Sequence, residues 1–339
     1  MQKLLMEMEK RLINKENLVL VTVVASSGAT PRGAGARMLV GKEGRISGTV
    51  GGGAVERRAI ELAMAALEKR SSATKSFLLK NNQIEDLGMV CGGNVTLFFR
   101  FIGSDDDRML SLCGTALGQF GEKETTWLIT ELTDSPDGGI GLYSEKLGVT
   151  GDIPCEAFER LSGKTCTFEF KDRQFYAEQM LLPGFVYIFG GGHVSQELVP
   201  VLSHLDFRCI VFEDRPEFAS RELFSDAVDI RLVDLADVRE MEKVTADDYI
   251  IVLTRGHSFD QAVEEQALRT PARYIGVIGS RHKKAVVEKN ILEHGFSRED
   301  LDRVTTPIGL MNIRAETPAE IAISIAGQLI AFRAGAGIV

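Results

Sequence analysis

The sequence predicts an α/β protein in two domains. An N-terminal mixed α+β domain spans 1–183, and a C-terminal Rossmann-like domain, doubly wound around a parallel sheet, spans 184–339. Length is the first reason, because 339 residues fill about two domains of roughly 150 residues each. The second is a change of pattern at Leu182-Pro183-Gly184. Ahead of it, strand-like runs are punctuated by glycine. Behind it, short apolar runs alternate with helical stretches, the pattern of strands buried on both faces of a parallel sheet. The third is Gly190-x-Gly192-x-x-Ser195, which follows such a run and opens a helix.

In chain order, Leu4, Leu5, Met8 and Leu12 make one apolar stripe of an N-terminal helix. Residues 18–25 (LVLVTVVA) are rich enough in β-branched side chains to read as a buried strand. Further strands are expected at 37–40, 46–50 and 95–102, and helices at 54–70 and about 106–120. Val55, Ala59, Leu62, Ala63, Ala66 and Leu67 share one face of the first helix. Asp105-Asp106-Asp107 suits the positive end of the second. A hairpin is expected from 165–170 and 174–180, turning at Lys171-Asp172-Arg173.

The second half carries strands at 185–189, 208–212, 249–253 and 274–278, with helices after the first, third and fourth. Pro200 is expected to kink or end the first of these helices. A last helix spans 318–333, with Thr317 as N-cap and Pro318 in its first turn. Its polar residues Glu320, Ser324 and Gln328 recur every four positions. That stripe faces solvent, a neighbouring helix, or a ligand or subunit interface.

Composition narrows the function. Lys plus Arg is 39 against 48 for Asp plus Glu, a net charge of −9, which argues against a dedicated nucleic-acid binder. Hydrophobic content of 44% with 26% charged residues excludes wholesale disorder. Five cysteines at 91, 113, 155, 166 and 209 are odd in number, widely spaced and free of any CxxC. A disulfide framework and a structural zinc site are not expected, and a reducing cytoplasm is. Lys3, Glu7, Glu9, Lys10 and Arg11 interrupt any signal-peptide core, and no membrane span is expected.

The candidate sites of the second half lie at strand ends. Gly190 and Gly192 let the backbone approach a pyrophosphate, with helix-start N–H groups to bind it. Glu213 stands 23 residues after Gly190, where an acid bonds a ribose hydroxyl. Asp214 is the alternative acid, and Arg215 would favour a 2′-phosphate, so NAD and NADP stay open. His193, His257 and Gly279-Ser280-Arg281 complete the set. A metal site from the two histidines and Asp260 is not expected.

In the first half, glycine-rich loops occur at 28–35, 51–53 and 92–93. Gly28, Gly51, Gly52, Gly53, Gly92 and Gly93 either serve tight turns or expose N–H groups to an anion. Arg32 and Arg37 add guanidinium forks suited to phosphate. Cys91 is either a small core residue or an open thiol flanked by glycines, the candidate reactive group; the other four cysteines are expected to be inert. Glu56 either bonds an amino-pyrimidine edge or complements its helix dipole.

These segments together resemble the xanthine dehydrogenase accessory family, the XdhC/CoxI group. The matching stretches are VTVVASSGATPRGAGARMLV, GTVGGGAVE, LGMVCGG, VYIFGGGHVSQEL, FEDRPEFAS, YIGVIGSRHKK and PIGLMNIRAETPAEIAISIAGQLIAFR, in family order from about residue 20 to 333. The resemblance implies a maturation factor that binds the molybdenum cofactor (molybdopterin). Such a factor supports its sulfuration and helps insert it into a molybdenum hydroxylase such as xanthine dehydrogenase. A cysteine desulfurase and the hydroxylase become candidate partners. On this reading the chain is a cofactor-binding chaperone more than a turnover enzyme, and a homodimer is the base-rate expectation. Two departures stand out. Many members carry Cys where this chain has Gly53, and Gln328 replaces an expected Glu. The competing readings are an NAD(P)-dependent oxidoreductase working at an interdomain crevice, and a nucleotide-sensing regulator.

Overall fold

The computed structural model describes residues 1–28, 30, 32–78, 93–161, 163–181 and 184–335, apart from the side chains of 257, 258 and 281–283. The chain divides into two compact units, Met1–Leu182 and Pro183–Val339. Among the described residues no helix is long and apolar enough to cross a membrane.

The N-terminal unit opens with α1 (Gln2–Ile13), which buries Leu4, Leu5, Met8 and Leu12. Then come β1 (Leu18–Ser27), β2 (Arg37–Gly41), β3 (Gly44–Gly48), α2 (Gly53–Lys69), β4 (Ala73–Leu78) and β5 (Asn94–Ile102). Their strands form an antiparallel sheet of order β3-β2-β1-β5-β4. After α3 (Asp107–Gly118) a second sheet is built from β6 (Thr126–Glu131), β7 (Ile140–Ser144), β8 (Gly148–Gly151), β9 (Cys166–Phe170) and β10 (Arg173–Leu181). Its order is β8-β7-β6-β10-β9.

Helix α2 lays Val55, Ala59, Ala63 and Ala66 on one face of the first sheet, against Val19, Val21 and Val23. The other face joins α1, α3 and the second sheet, with Leu20 and Leu39 in one core with Met8, Leu112 and Leu142. Cover on both faces is why β1 reads as an unbroken apolar run. Asp106 caps α3 by accepting from the Met109 amide at 3.0 Å. Lys171 and Asp172 take φ of 51° and 59°, the two left-handed residues of a tight hairpin turn, so Arg173 already belongs to the strand.

Two arginines lie in the layer between these sheets. The Arg37 guanidinium is paired with Glu178 of β10 and donates to the Gly35 carbonyl at 3.1 Å. Arg100 of β5 donates to the Gly138 carbonyl, and to that of Gly139 at 3.3 Å, just before β7. Burial pulls each guanidinium down to about 10, so both stay charged at neutral pH and depend on these partners.

The C-terminal unit runs β11 (Val186–Phe189), α4 (His193–His204), β12 (Cys209–Glu213), β13 (Asp229–Leu232), β14 (Tyr249–Val252), α5 (His257–Leu268), β15 (Tyr274–Val277), α6 (Arg281–Glu293), α7 (Arg298–Asp302), β16 (Val304–Thr305) and α8 (Pro318–Arg333). The strands make one parallel sheet of order β13-β12-β11-β14-β15-β16. This is the Rossmann order, with the switch point between β11 and β14. Helices α4 and α8 cover one face through Leu198, Leu202, Ile325 and Leu329. Helices α5 and α6 cover the other through Val263, Ala267, Val287 and Ile291.

Pro200 does not end α4, which continues to His204. Its side is exposed, so water can satisfy the carbonyl that loses its helical partner. The polar stripe of α8 faces its own chain. Glu320 closes a capping box with Thr317. Ser324 accepts from the Leu310 amide at 2.8 Å. Gln328 accepts from the Gly309 amide at 2.8 Å and from the Tyr274 hydroxyl at 2.6 Å, and donates to the Gly309 carbonyl at 2.9 Å.

Removing one member of the pair between the sheets should cost more than removing both. Arg37→Met alone is expected to destabilise the N-terminal unit by about 3–5 kcal/mol, because Glu178 is left as a buried, uncompensated charge. Arg37→Met with Glu178→Leu should recover much of that, as urea unfolding of the three proteins would show.

Candidate functional site

Strand register gathers the three glycine loops of the N-terminal unit. β1 leaves its sheet at Ser27, β2 enters at Arg37, β3 leaves at Gly48, β4 leaves at Leu78 and β5 enters at Asn94. Thr22 pairs with Arg37 and Met38 with Gly48, level with the middle of β1, whereas Asn94 pairs with both Ser27 and Leu78 at the end of β1. All five junctions therefore face the same way along the sheet, but those of loops 28–35 and 51–53 with β2 and β3 stand back from the end that carries Gly93. Cys91 and Gly92 lie outside the described residues, in the segment that joins β4 to β5 at that end.

Gly51, Gly52 and Gly53 have φ of 139°, 70° and 58°, a run of left-handed backbone that only glycine adopts without strain. A Cβ at Gly52 or Gly53 would meet no atom within 4 Å, so this loop lies open at the start of α2. Glu56 folds back onto it. Its carboxylate accepts from the Gly52 amide at 3.2 Å, from the Thr49 hydroxyl, and from Arg45 at 3.2 Å. The anion position expected at this helix start is thus filled by the chain's own carboxylate, and a phosphate at the Gly52 amide would have to displace it.

Arg37 also departs from expectation. It is buried against Glu178 and the Gly35 carbonyl, and is not a free fork for phosphate. Arg32 and Gly28 are exposed, and Gly93 is buried. Sequence reasoning missed Arg45, Thr49, Tyr176 and Glu178. Glu178 carried a usable signal, as a lone carboxylate in the predicted strand QFYAEQM. Tyr176 lies beside it; burial pushes its hydroxyl up to about 12. Among the other cysteines, Cys113 and Cys209 are buried, and burial pushes the Cys113 thiol up to about 12. Cys155 is exposed and Cys166 partly buried.

In the C-terminal unit Gly190 is sterically required: a Cβ there would lie 2.4 Å from the Leu253 carbonyl oxygen. At Gly191 it would lie 2.6 Å from the Phe218 carbonyl oxygen. Gly192 is the N-cap of α4 and a Cβ there meets nothing within 4 Å. Buried Ser195 donates its hydroxyl to the Gly190 carbonyl, which explains a serine at the third position of the motif. His193 is exposed on the first turn of α4.

Glu213, expected to meet a ribose, is already saturated. It is 1% exposed and accepts from the amides of Gly191 at 2.5 Å, Asp214 at 3.0 Å and Arg215 at 3.1 Å. Arg215 adds Nε at 2.9 Å and Nη2 at 3.0 Å. Burial works to raise this carboxyl, but hydrogen bonds from Arg215 and its neighbours prevail and hold it at about 2. Arg215 lies 3.9 Å over the Phe218 ring as well, so it is not free for a 2′-phosphate. Asp214 is bonded by Arg255 at 2.8 Å. Gly279 and Ser280 precede α6, where the Ser280 carbonyl accepts the Lys284 amide at 3.0 Å. The side chains of His257 and Arg281 lie outside the described residues, on the first turns of α5 and α6. Asp260 bonds the Thr254 amide at 3.2 Å and so ties α5 to the end of β14.

A parallel sheet in Rossmann order, preceded by a unit of two antiparallel sheets whose glycine loops leave the first sheet in one direction, defines the class of protein. Residues 186–329 match the XdhC Rossmann domain and residues 13–77 match the XdhC and CoxI family, and the chain belongs to that family. It is 24% identical to a probable xanthine dehydrogenase subunit of Bacillus subtilis, over 96% of each chain. It is 23% identical to the uncharacterised protein YqeB of Escherichia coli over 92% of its own length, but spans only 42% of that protein. Its fold is similar to a crystal structure of a xanthine dehydrogenase from Bacillus halodurans, with a TM-score of 0.75 and 21% identity over 98% of this chain and 96% of that one.

Two outcomes test this geometry. Gly190→Ala should unfold the C-terminal unit at 25 °C or lower its melting temperature sharply, while Gly192→Ala should melt within about 2 °C of wild type, by calorimetry. The Glu213 carboxyl titrates lower in the folded chain than the usual 4.5, so its stabilisation is complete above that pH and is lost as pH falls toward 2. Glu213→Gln should accordingly flatten the acid limb of the stability–pH curve, a loss on the order of 3 kcal/mol at neutral pH.

Proposed function

We propose that this chain is an accessory factor for a molybdenum hydroxylase of the xanthine dehydrogenase type. Its N-terminal unit holds the molybdenum cofactor during sulfuration and insertion, and its C-terminal unit binds a nucleotide of the NAD or NADP class. The observation that carries the reading is that loops 28–35 and 51–53 and the two ends of the Cys91 segment leave their sheet in the same direction, in a chain of this family. The kinship with a probable xanthine dehydrogenase subunit supports the hydroxylase as partner. A cysteine desulfurase as sulfur donor and a homodimer belong to the same proposal.

The residues fit the organic part of that cofactor. Open backbone at Gly52 and Gly53 admits a bulky ring, and Glu56 is the acceptor beside it. Exposed Arg32, with half-exposed Arg45, takes over the phosphate role first given to Arg37. When bound, the cofactor supplies the molybdenum centre of the hydroxylase's chemistry. The chain's part is to hold the pterin, meet its charge and offer the Cys91 thiol. The C-terminal unit is read as nucleotide-binding from its strand order and from the open space beside the Gly192 backbone at the start of α4.

The protein purified from cells that make the cofactor should carry pterin fluorescence and molybdenum and should co-purify with a molybdenum hydroxylase. Cys91→Ser should lower the active fraction of that hydroxylase at least roughly tenfold, the scale of losing one essential group. Absence of pterin and partner, with NADH consumed against a small substrate, would instead make the chain an oxidoreductase.

A further inference from the structure

The mouth of the Rossmann unit is crossed by an ion pair. β11 ends in the Gly190–Gly192 turn, and its neighbours end on either side of it, β12 running into Asp214 and β14 into Arg255. Adjacent strands stand roughly 4.8 Å apart, so roughly twice that separates β12 from β14. Arg255 bridges this gap, its Nη2 donating to Asp214 Oδ2 at 2.8 Å. Both residues lie beyond the last paired residues of their strands, Glu213 and Val252. The bridge therefore passes over the end of β11, where a Rossmann sheet receives a pyrophosphate. The Arg255 guanidinium also lies 5.3 Å from the Phe259 ring, on the first turn of α5, which steadies it. Asp214 is 18% exposed and Arg255 48%, so the pair can be reached from solvent.

We propose that Asp214 and Arg255 form a strap across this mouth, and that Asp214 competes with the phosphate of a nucleotide for the Arg255 guanidinium. The proposal rests on the nucleotide reading above and adds its regulation. A pyrophosphate offers the guanidinium more charge and a matching pair of oxygens, so it displaces the single Asp214 oxygen. The strap lowers affinity and releases Arg255 only to an anion that meets the α4 amides at the same time. Glu213 and Arg215 are bound to one another beneath it, and Arg215 Nε also lies 3.8 Å from Asp214 Oδ1, so an Asp214 released from Arg255 keeps a cation beside it.

A double-mutant cycle decides it, with ADP and NADH as probes in calorimetric and fluorescence titrations. Asp214→Asn should bind both at least roughly threefold tighter than wild type, the scale of an exposed ion pair. Arg255→Gln should bind them at least roughly threefold weaker, by the same scale. In the Arg255→Gln background, Asp214→Asn should give little further gain. Equal tightening by Asp214→Asn in both backgrounds would mean plain repulsion and would overturn the strap. Equal affinities in all four proteins would dispose of the strap and leave the nucleotide reading standing. No binding of either probe by any of the four, with melting curves unchanged, would remove the nucleotide reading and the strap with it.

Discussion

A guanidinium group that stays charged inside a protein tolerates few arrangements, and the N-terminal unit holds two of them between its sheets. Arg37 is tied to Glu178, and Arg100 to the carbonyls that lead into β7. Hydrophobic contact alone would let the sheets slide; a buried charge with one partner does not. The same arginine that joins the sheets also holds the Gly35 carbonyl at the end of loop 28–35. Fixing the core and placing the glycine loop are thus one interaction. That is why Arg37 is withheld from the surface, where the guanidiniums of Arg32 and Arg45 lie.

The C-terminal unit follows a similar logic at its sheet edge. Polar groups that a Rossmann fold commonly turns toward a dinucleotide are here matched to one another. The Gly191 amide, Glu213 and Arg215 are bound together. Arg215 reaches Asp214 at 3.8 Å, and Asp214 in turn takes Arg255 at 2.8 Å. What remains open is the backbone at Gly192 and the exposed ring of His193. The fold class therefore describes where a ligand enters, and the side chains decide on what terms.

Much of this was legible in the sequence because periodicity reports burial. The stripe Leu4, Leu5, Met8, Leu12 and the face Val55, Ala59, Ala63, Ala66 are buried as their spacing predicts. β4 was not legible: its ATKSFL is half-exposed along its length and carries no alternation to read. β13, DIRL, carries two charges and is only partly buried, unlike the equally short apolar β11, β14 and β15, and β16 has two residues. At the sites, spacing indicates where a residue is but not which neighbour claims it. Glu213 stands where a ribose acid belongs, yet Arg215, two residues on, takes it first. Arg37 and Arg32 look alike in PRGAGAR, and only long-range pairing with Glu178 separates them. Pro200 looked like a helix breaker because sequence does not show that its side of α4 faces water.

Gln328 shows what an apparently neutral departure does. Its side chain both gives and takes a hydrogen bond with Gly309, and it takes a third from Tyr274. An amide presents one donor edge and one acceptor edge without carrying charge, whatever the pH. A carboxylate at 328 would still take the Gly309 amide and the Tyr274 hydroxyl. It would then set an oxygen against the Gly309 carbonyl, a clash that a bound proton alone relieves. Relatives with an acid there would own a seam that loosens as the medium turns alkaline and tightens as it turns acid. With glutamine in that place, this chain keeps its final helix latched in both.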